Sequence, residues 1–301
     1  MHAKKLMMIL AVAGWSMTAA AQEDSATTTY KPVEYPQGFT SQLNVVYAKS
    51  GDWEGKMDLY LPPNSGKTTP VIINIHGGGW NKGVKESQSG FSIFFKNGFA
   101  VANIEYRLSG QATAPAAVED TRCALIYLIK NSKALNIDVN RIVIMGSSAG
   151  GHLALMGGML ANDHRFDSNC PGVQNVHVAA IVDKYGITDV WDWAYGPYKT
   201  SKSATQWLGA KAKDKDFIAS VSPVTYVAKT NPPIFMVHGD ADPTVPYEES
   251  VDLNKRLVAA GVKTKFITVE GGQHGKFTKE KNAELNKEII SFLREVGVIG
   301  N

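Results

Sequence analysis

Short apolar runs alternate with segments of helical period along most of the chain, and no other feature limits its possible folds so strongly. Residues 43–47 and 56–61 read as strands, with Pro62-Pro63-Asn64-Ser65-Gly66 as the turn that follows. Residues 71–75, 100–105, 141–145, 178–183 and 234–237 are brief apolar stretches of the kind strands make in a sheet covered on both faces. Between them a helical period recurs at 87–96, at 116–130 directly after Pro115, at 152–160, and at 248–260, which stops at Gly261. A strand of alternating character at 263–269 and an amphipathic helix at 280–296 close the chain. This order predicts an α/β fold with a mostly parallel central sheet, helices on both faces and an antiparallel start.

The 301 residues show no repeat of fixed period and no low-complexity linker, so a single domain is expected over 41–299. Residues 22–40, polar and rich in Thr, read as a flexible entry segment. Residues 1–21 have the form of a secretory signal peptide, with Lys4 and Lys5, an apolar run over 6–14, and Ala19-Ala20-Ala21 ahead of Gln22. The run is too short for a spanning helix, which needs about 20 apolar residues. A secreted or periplasmic location and a mature chain without a membrane span are expected. The formal charge of +3 falls to about +1 without Lys4 and Lys5, which leaves no electrostatic reason to hold nucleic acid or an anionic membrane. Cys123 and Cys170 lack metal-ligand spacing. Export would permit a disulfide between them, but a bridge demands a geometry that spacing does not supply, so their pairing stays open. One stretch breaks the alternation. Residues 188–220 carry Trp191, Trp193, Tyr195, Tyr198 and Trp207 between two strands, an aromatic insertion suited to a lid or substrate wall.

Gly146-Ser147-Ser148-Ala149-Gly150 fits G-x-S-x-G between a buried strand and a helix. A strand-to-helix turn that tight excludes large flanking residues and pushes the Ser148 hydroxyl out at the C-terminal edge of the sheet. The helix N-terminus aimed at the same place favours developing negative charge. Serine needs a base. His152 shares the helix of Ser148 and reads as structural, while His76 and His238 end buried strands ahead of glycines. His274, in Gly271-Gly272-Gln273-His274-Gly275 after the last strand, is placed to swing over the nucleophile. An imidazole in that role needs a carboxylate to fix its tautomer. The loop His238-Gly239-Asp240-Ala241-Asp242-Pro243 offers two, of which Asp242 lies further out and Asp240 is placed to bind backbone N–H groups. The candidate catalytic set is Ser148, Asp242 and His274, in the chain order expected of α/β-hydrolases. His76-Gly77-Gly78-Gly79-Trp80 follows the 71–75 strand, so Gly78 and Gly79, with Ala149 after the nucleophile, are the candidate oxyanion donors. A phosphate cradle is disfavoured, because no P-loop lysine or G-x-G-x-x-G spacing accompanies the glycines.

These motifs, together with Tyr106-Arg107-Leu108 and Asp183-Lys184-Tyr185-Gly186-Ile187-Thr188-Asp189, resemble the carboxylesterases related to hormone-sensitive lipase, in particular the branch with bacterial acetylxylan and feruloyl esterases. The resemblance runs over 44–293 and departs at Ser147, where many relatives carry Asp. It implies the α/β-hydrolase fold, an acyl-enzyme mechanism, no cofactor and no metal. It implies as substrate a small-molecule or polysaccharide ester, with short-acyl or hydroxycinnamoyl esters of plant cell-wall polysaccharide as the expected class. Trp80, Tyr185, Trp191 and Trp193 are the candidate substrate-binding residues. A generic short-chain carboxylesterase and an arylformamidase use the same parts. A non-catalytic binding protein on this fold would typically lack one of the three catalytic residues.

Overall fold

The computed structural model describes residues 29–300 except 198 and 199. The segment 1–21 and Tyr198 lie outside the described residues. Lys31–Asn301 form one unit. Its elements are β1 (Thr40–Ser50), β2 (Trp53–Leu61), β3 (Thr69–Ile75), α1 (Ser92–Lys96), β4 (Ala100–Ile104), α2 (Ala116–Lys130), β5 (Ile137–Ser147) and α3 (Ala149–Met159). They continue with β6 (Ala180–Lys184), α4 (Val190–Tyr195), α5 (Lys202–Leu208), α6 (Lys215–Ser220), β7 (Ile234–Gly239), α7 (Tyr247–Ala259), β8 (Thr264–Val269) and α8 (Lys279–Glu295).

The strands form one sheet in the order β1-β2-β4-β3-β5-β6-β7-β8. β1 and β2 pair antiparallel, as do β2 and β4, and the remaining pairs are parallel. Side chains on a strand alternate between faces, and the core divides accordingly. Val71, Ile73, Ile75, Ile142 and Ile144 join α2, α3 and α7 in one apolar layer. Ile72, Val143 and Met145 join α1 and α8 in the other. This is the α/β-hydrolase architecture. The parallel register sets Ile75 beside Gly146, Gly146 beside Asp183, Lys184 beside Val237 and Gly239 beside Val269. The loops carrying chemistry therefore leave the sheet along one edge.

Two expectations change in detail. The helix expected at 87–96 is confined to α1, because Gln88 adopts an extended backbone after a short 3₁₀ turn at Lys85–Ser87, and Gly90 weakens any continuation. In the entry segment, Val33 and Phe39 pack against the second core layer, with the Phe39 ring 5.2 Å from that of Phe95. Cys123, buried in α2, is bonded to Cys170 in the loop after α3. Beside the bridge, Arg122 makes two hydrogen bonds of 2.7 Å to Asp167 in the same loop and donates to the carbonyls of Gly157 and Ala161. Each nitrogen of the buried guanidinium has an acceptor, which a buried charge requires.

Candidate active site

Ser148 joins β5 to α3 at φ +56° and ψ −125°, a backbone position costly for any residue with a side chain. Trp80 (φ +58°) and Tyr185 (φ +46°) are held in left-handed conformations on the neighbouring loops. Strain concentrated this way marks a place that the surrounding packing over-determines. The turn works because its flanks lack side chains. A Cβ on Gly150 would lie 2.3 Å from the Ile75 carbonyl oxygen and 2.5 Å from that of His76, and one on Gly146 would lie 2.0 Å from the Gly150 oxygen. Gly150→Ala must therefore push α3 away from the end of β3. It is expected to cost about 1–3 kcal/mol of stability and, by displacing the Ala149 N–H from the glycine loop, on the order of 100-fold in kcat for an ester. Urea melts and p-nitrophenyl acetate kinetics on the variant check both numbers.

The structure brings together the three residues singled out by motif and chain order. His274 Nε2 lies 2.8 Å from Ser148 Oγ, and His274 Nδ1 lies 2.6 Å from Asp242 Oδ2. A carboxylate only accepts, so Nδ1 carries the proton and Nε2 is free to accept from the serine hydroxyl. Asp242 Oδ1 accepts from the N–H groups of Thr244 at 2.7 Å and Val245 at 3.0 Å. Burial by itself would raise the Asp242 carboxyl, but hydrogen bonds from His238, His274 and the Thr244 N–H hold it well below the usual carboxylate range. Asp240 binds the Gly271 N–H at 2.7 Å, which ties the loop after β7 to the His274 loop.

The candidate oxyanion donors meet at the same edge. Gly78, at φ +120°, has its α-carbon so close to the Lys82 carbonyl that a Cβ would lie 2.1 Å from the oxygen, so only glycine fits there. Among the described residues, the N–H groups of Gly78, Gly79 and Ala149 have no backbone carbonyl partner. His76 braces this loop: Nδ1 donates to the Gly77 carbonyl at 2.8 Å, and the ring stacks on Tyr106 at 4.4 Å. His152 is fully buried and donates Nε2–H to the Val221 carbonyl, as expected of a structural histidine, and burial lowers its pKa to about 4.

The aromatic assignments need correction. Trp80 is 0% exposed, stacked on Trp207 at 4.2 Å with His152 edge-on at 4.9 Å. Trp193 is 3% exposed and donates its indole N–H to the Thr244 carbonyl at 3.0 Å. Both are core residues, because large rings placed between the insertion and α3 bury more area than any other side chain available there. Tyr185 packs edge-on against His274 at 4.8 Å, so it supports the base. Trp191 is half-buried, with Tyr195 and the Lys215 ammonium against its ring. The insertion does reach the glycine loop: the Ser203 hydroxyl of α5 stands 3.0 Å from where a Cβ on Gly79 would be.

Two buried carboxyls lie behind the site. Asp183, at the end of β6, accepts from the Gly186 N–H at 3.0 Å, and its Oδ2 has no partner. Glu249 of α7 accepts from Thr188 and Asp189. Burial pushes each up to about 7. A carboxyl whose folded pKa is raised keeps its proton longer in the folded chain than in the unfolded one, so the folded state binds more protons between about pH 4 and 7 and stability falls as pH rises through that window. Urea midpoints are expected to drop from pH 5 to 7.5, and to drop less in Asp183→Asn. An equal drop in the variant would exclude Asp183 as a source.

With this geometry in view, the comparisons with known proteins fall into place. The BD-FAE family model matches residues 57–257. Esterase LipQ of Mycobacterium tuberculosis is 28% identical over 235 residues, which span 75% of this chain and 55% of LipQ. The isoprenylcysteine alpha-carbonyl methylesterase ICME of Arabidopsis thaliana is 25% identical over 80% of this chain and 58% of its own length. The chain thus spans little more than half the length of these curated relatives. A truncated form of a carbohydrate esterase from gut microbiota is 31% identical, with a TM-score of 0.73 over 90% of this chain and 98% of that one. An acetyl ester-xyloside bifunctional hydrolase from Caldicellulosiruptor lactoaceticus, at 24% identity and a TM-score of 0.73 over 88% of this chain and 99% of its own, shares the fold. With a family model that matches two thirds of its length and an α/β-hydrolase fold, the chain belongs to the BD-FAE family.

Proposed function

We propose that this protein is an exported serine ester hydrolase that removes short-acyl or hydroxycinnamoyl groups from plant cell-wall polysaccharide. The observation that carries the reading is the unbroken hydrogen-bonded run from Ser148 through His274 to Asp242 at the mouth of the glycine loop. His274 Nε2 takes the Ser148 proton as Oγ attacks the ester carbonyl, and the Asp242 carboxylate stabilises the imidazolium that results. The N–H groups of Gly78, Gly79 and Ala149 receive the oxyanion. His274 returns the proton to the departing alcohol, and water repeats the sequence on the acyl-enzyme. No step calls on a cofactor.

The substrate class draws support from the carbohydrate esterase neighbour and from the insertion set against the oxyanion loop. Export draws support from the charge and apolar pattern of residues 1–21 and from the Cys123–Cys170 bridge, since disulfides persist in oxidising compartments. Among the described residues, no helix is long and apolar enough to cross a membrane. The test offers p-nitrophenyl esters from acetate to octanoate, then acetylated xylan and methyl ferulate. Cleavage of the short esters with release of acetate or ferulate is the expected result. Cleavage of simple esters with release from neither natural-type substrate would leave a generic short-chain esterase and overturn the polysaccharide assignment.

A further inference from the structure

Asp242 Oδ2 serves two imidazoles. Besides His274 at 2.6 Å, His238 Nε2 approaches the same oxygen at 3.1 Å and the Val245 carbonyl at 3.1 Å. Neither acceptor has a proton to give, so Nε2 of His238 must carry one, shared between them. The other nitrogen, Nδ1, meets the Ser250 hydroxyl of α7 at 2.7 Å. His238 and Ser250 are both 0% exposed, and the Asp242 side chain is also 0% exposed. Both ring nitrogens of His238 thus have partners, and Nε2–H is aimed at the carboxylate oxygen that the base uses.

We infer that His238 is a positioning residue for Asp242, one whose ring, anchored by Ser250, uses its Nε2–H to hold Oδ2 on the His274 Nδ1–H axis and to draw part of the carboxylate charge away from the base. The inference rests on the proposed hydrolase reading. It has two separable consequences. Geometrically, Oδ1 is held by the Thr244 and Val245 N–H groups, so the second donor on Oδ2 leaves the carboxylate a single orientation. Electrostatically, a hydrogen bond on the same oxygen weakens what Oδ2 offers to His274. The groups that face this chain are few. Tyr185, directly after β6, packs against His274 at 4.8 Å and His238 at 6.4 Å, Tyr247 of α7 packs against His238 at 5.9 Å, and the buried Asp183 lies at the end of β6.

The experiment compares His238→Leu, which removes the donor, with His238→Gln, whose amide N–H₂ reaches close to where Nε2 stood. Each is assayed on p-nitrophenyl acetate across pH beside the wild type, with fluorophosphonate labelling as a check on the hydrolase reading itself. His238→Leu is expected to lose on the order of 10- to 100-fold in kcat at nearly unchanged KM. The acid limb of kcat/KM moves to higher pH, because His274 then has the whole charge of Oδ2. His238→Gln recovers most of kcat and returns the limb towards wild type. Nitrogen-15 spectra of the wild-type protein give a readout that no variant's folding can obscure: a His238 ring that carries a proton on Nε2. Full activity and an unmoved limb in His238→Leu, an equal loss in both variants, or an Nδ1–H tautomer would each overturn the inference. A wild type that neither hydrolyses esters nor takes the label would instead overturn the hydrolase reading, and so separates the two failures.

Discussion

Replacing Ser148 by alanine is expected to lower kcat on p-nitrophenyl acetate by about 10⁴- to 10⁶-fold, with the fold intact. The hydroxyl meets His274 at 2.8 Å, and the strain of the backbone is fixed by the close approach of β3, β5 and α3, none of which involves Oγ. Alanine leaves all of this in place while removing the attacking atom. The three residues act as a unit, so the penalties do not add. Ser148→Ala combined with His274→Ala is expected to be about as slow as Ser148→Ala alone. Asp242→Asn is expected to cost on the order of 10⁴-fold, because an amide no longer requires Nδ1 to carry the proton. The activity that remains comes from binding and from the donors at Gly78, Gly79 and Ala149. The same assay on purified variants reads all three. A loss of less than about 100-fold in Ser148→Ala would mean that attack does not pass through this oxygen.

The second large effect is on stability. Removing the Cys123–Cys170 bridge with Cys123→Ala and Cys170→Ala is expected to lower the free energy of unfolding by about 4 kcal/mol, the loop-closure value for a separation of 47 residues. The closed loop includes β5, Ser148 and α3, so in the unfolded chain the bridge restrains the segment that bears the nucleophile. In the folded chain the Arg122–Asp167 pair, with side chains 0% and 5% exposed, holds the same loop to α2. The folded site is therefore expected to survive loss of the bridge, and activity below the new unfolding midpoint to stay near wild type. Denaturant melts at constant slope measure the first expectation, and kcat at 25 °C measures the second. A change below about 1 kcal/mol would show that the bridge restrains the unfolded chain far less than loop closure requires.

Much of this was legible in the residues, for reasons that differ from place to place. Ser148, Asp242 and His274 could be chosen because the chemistry demands a nucleophile on a strand-to-helix turn and partners on later strand-end loops, and few residues of the right type stand there. The order of strands and helices was legible because burial on both faces writes continuous apolar runs. The aromatic insertion was not. Trp80, Trp193 and Trp207 look alike in sequence whether they face a substrate or each other, and only their mutual packing, stacked at 4.2 Å and edge-on at 5.5 Å, assigns them to the core. The place of His238 is not legible, because a histidine that ends a buried strand reads as structural, and its contact with Asp242 is created by the turn at Thr244 and Val245. The disulfide followed from neither spacing nor composition, since it depends on where the loop after α3 returns to α2.

On the proposed mechanism one serine, activated by one histidine, performs the attack. Fluorophosphonate labelling of the wild-type protein, followed by peptide mass mapping, puts this to the test. A single adduct on Ser148, lost in His274→Ala and absent in Ser148→Ala, is the predicted result. An adduct on Ser147 or another residue, or no adduct on a folded wild-type chain, would contradict the account.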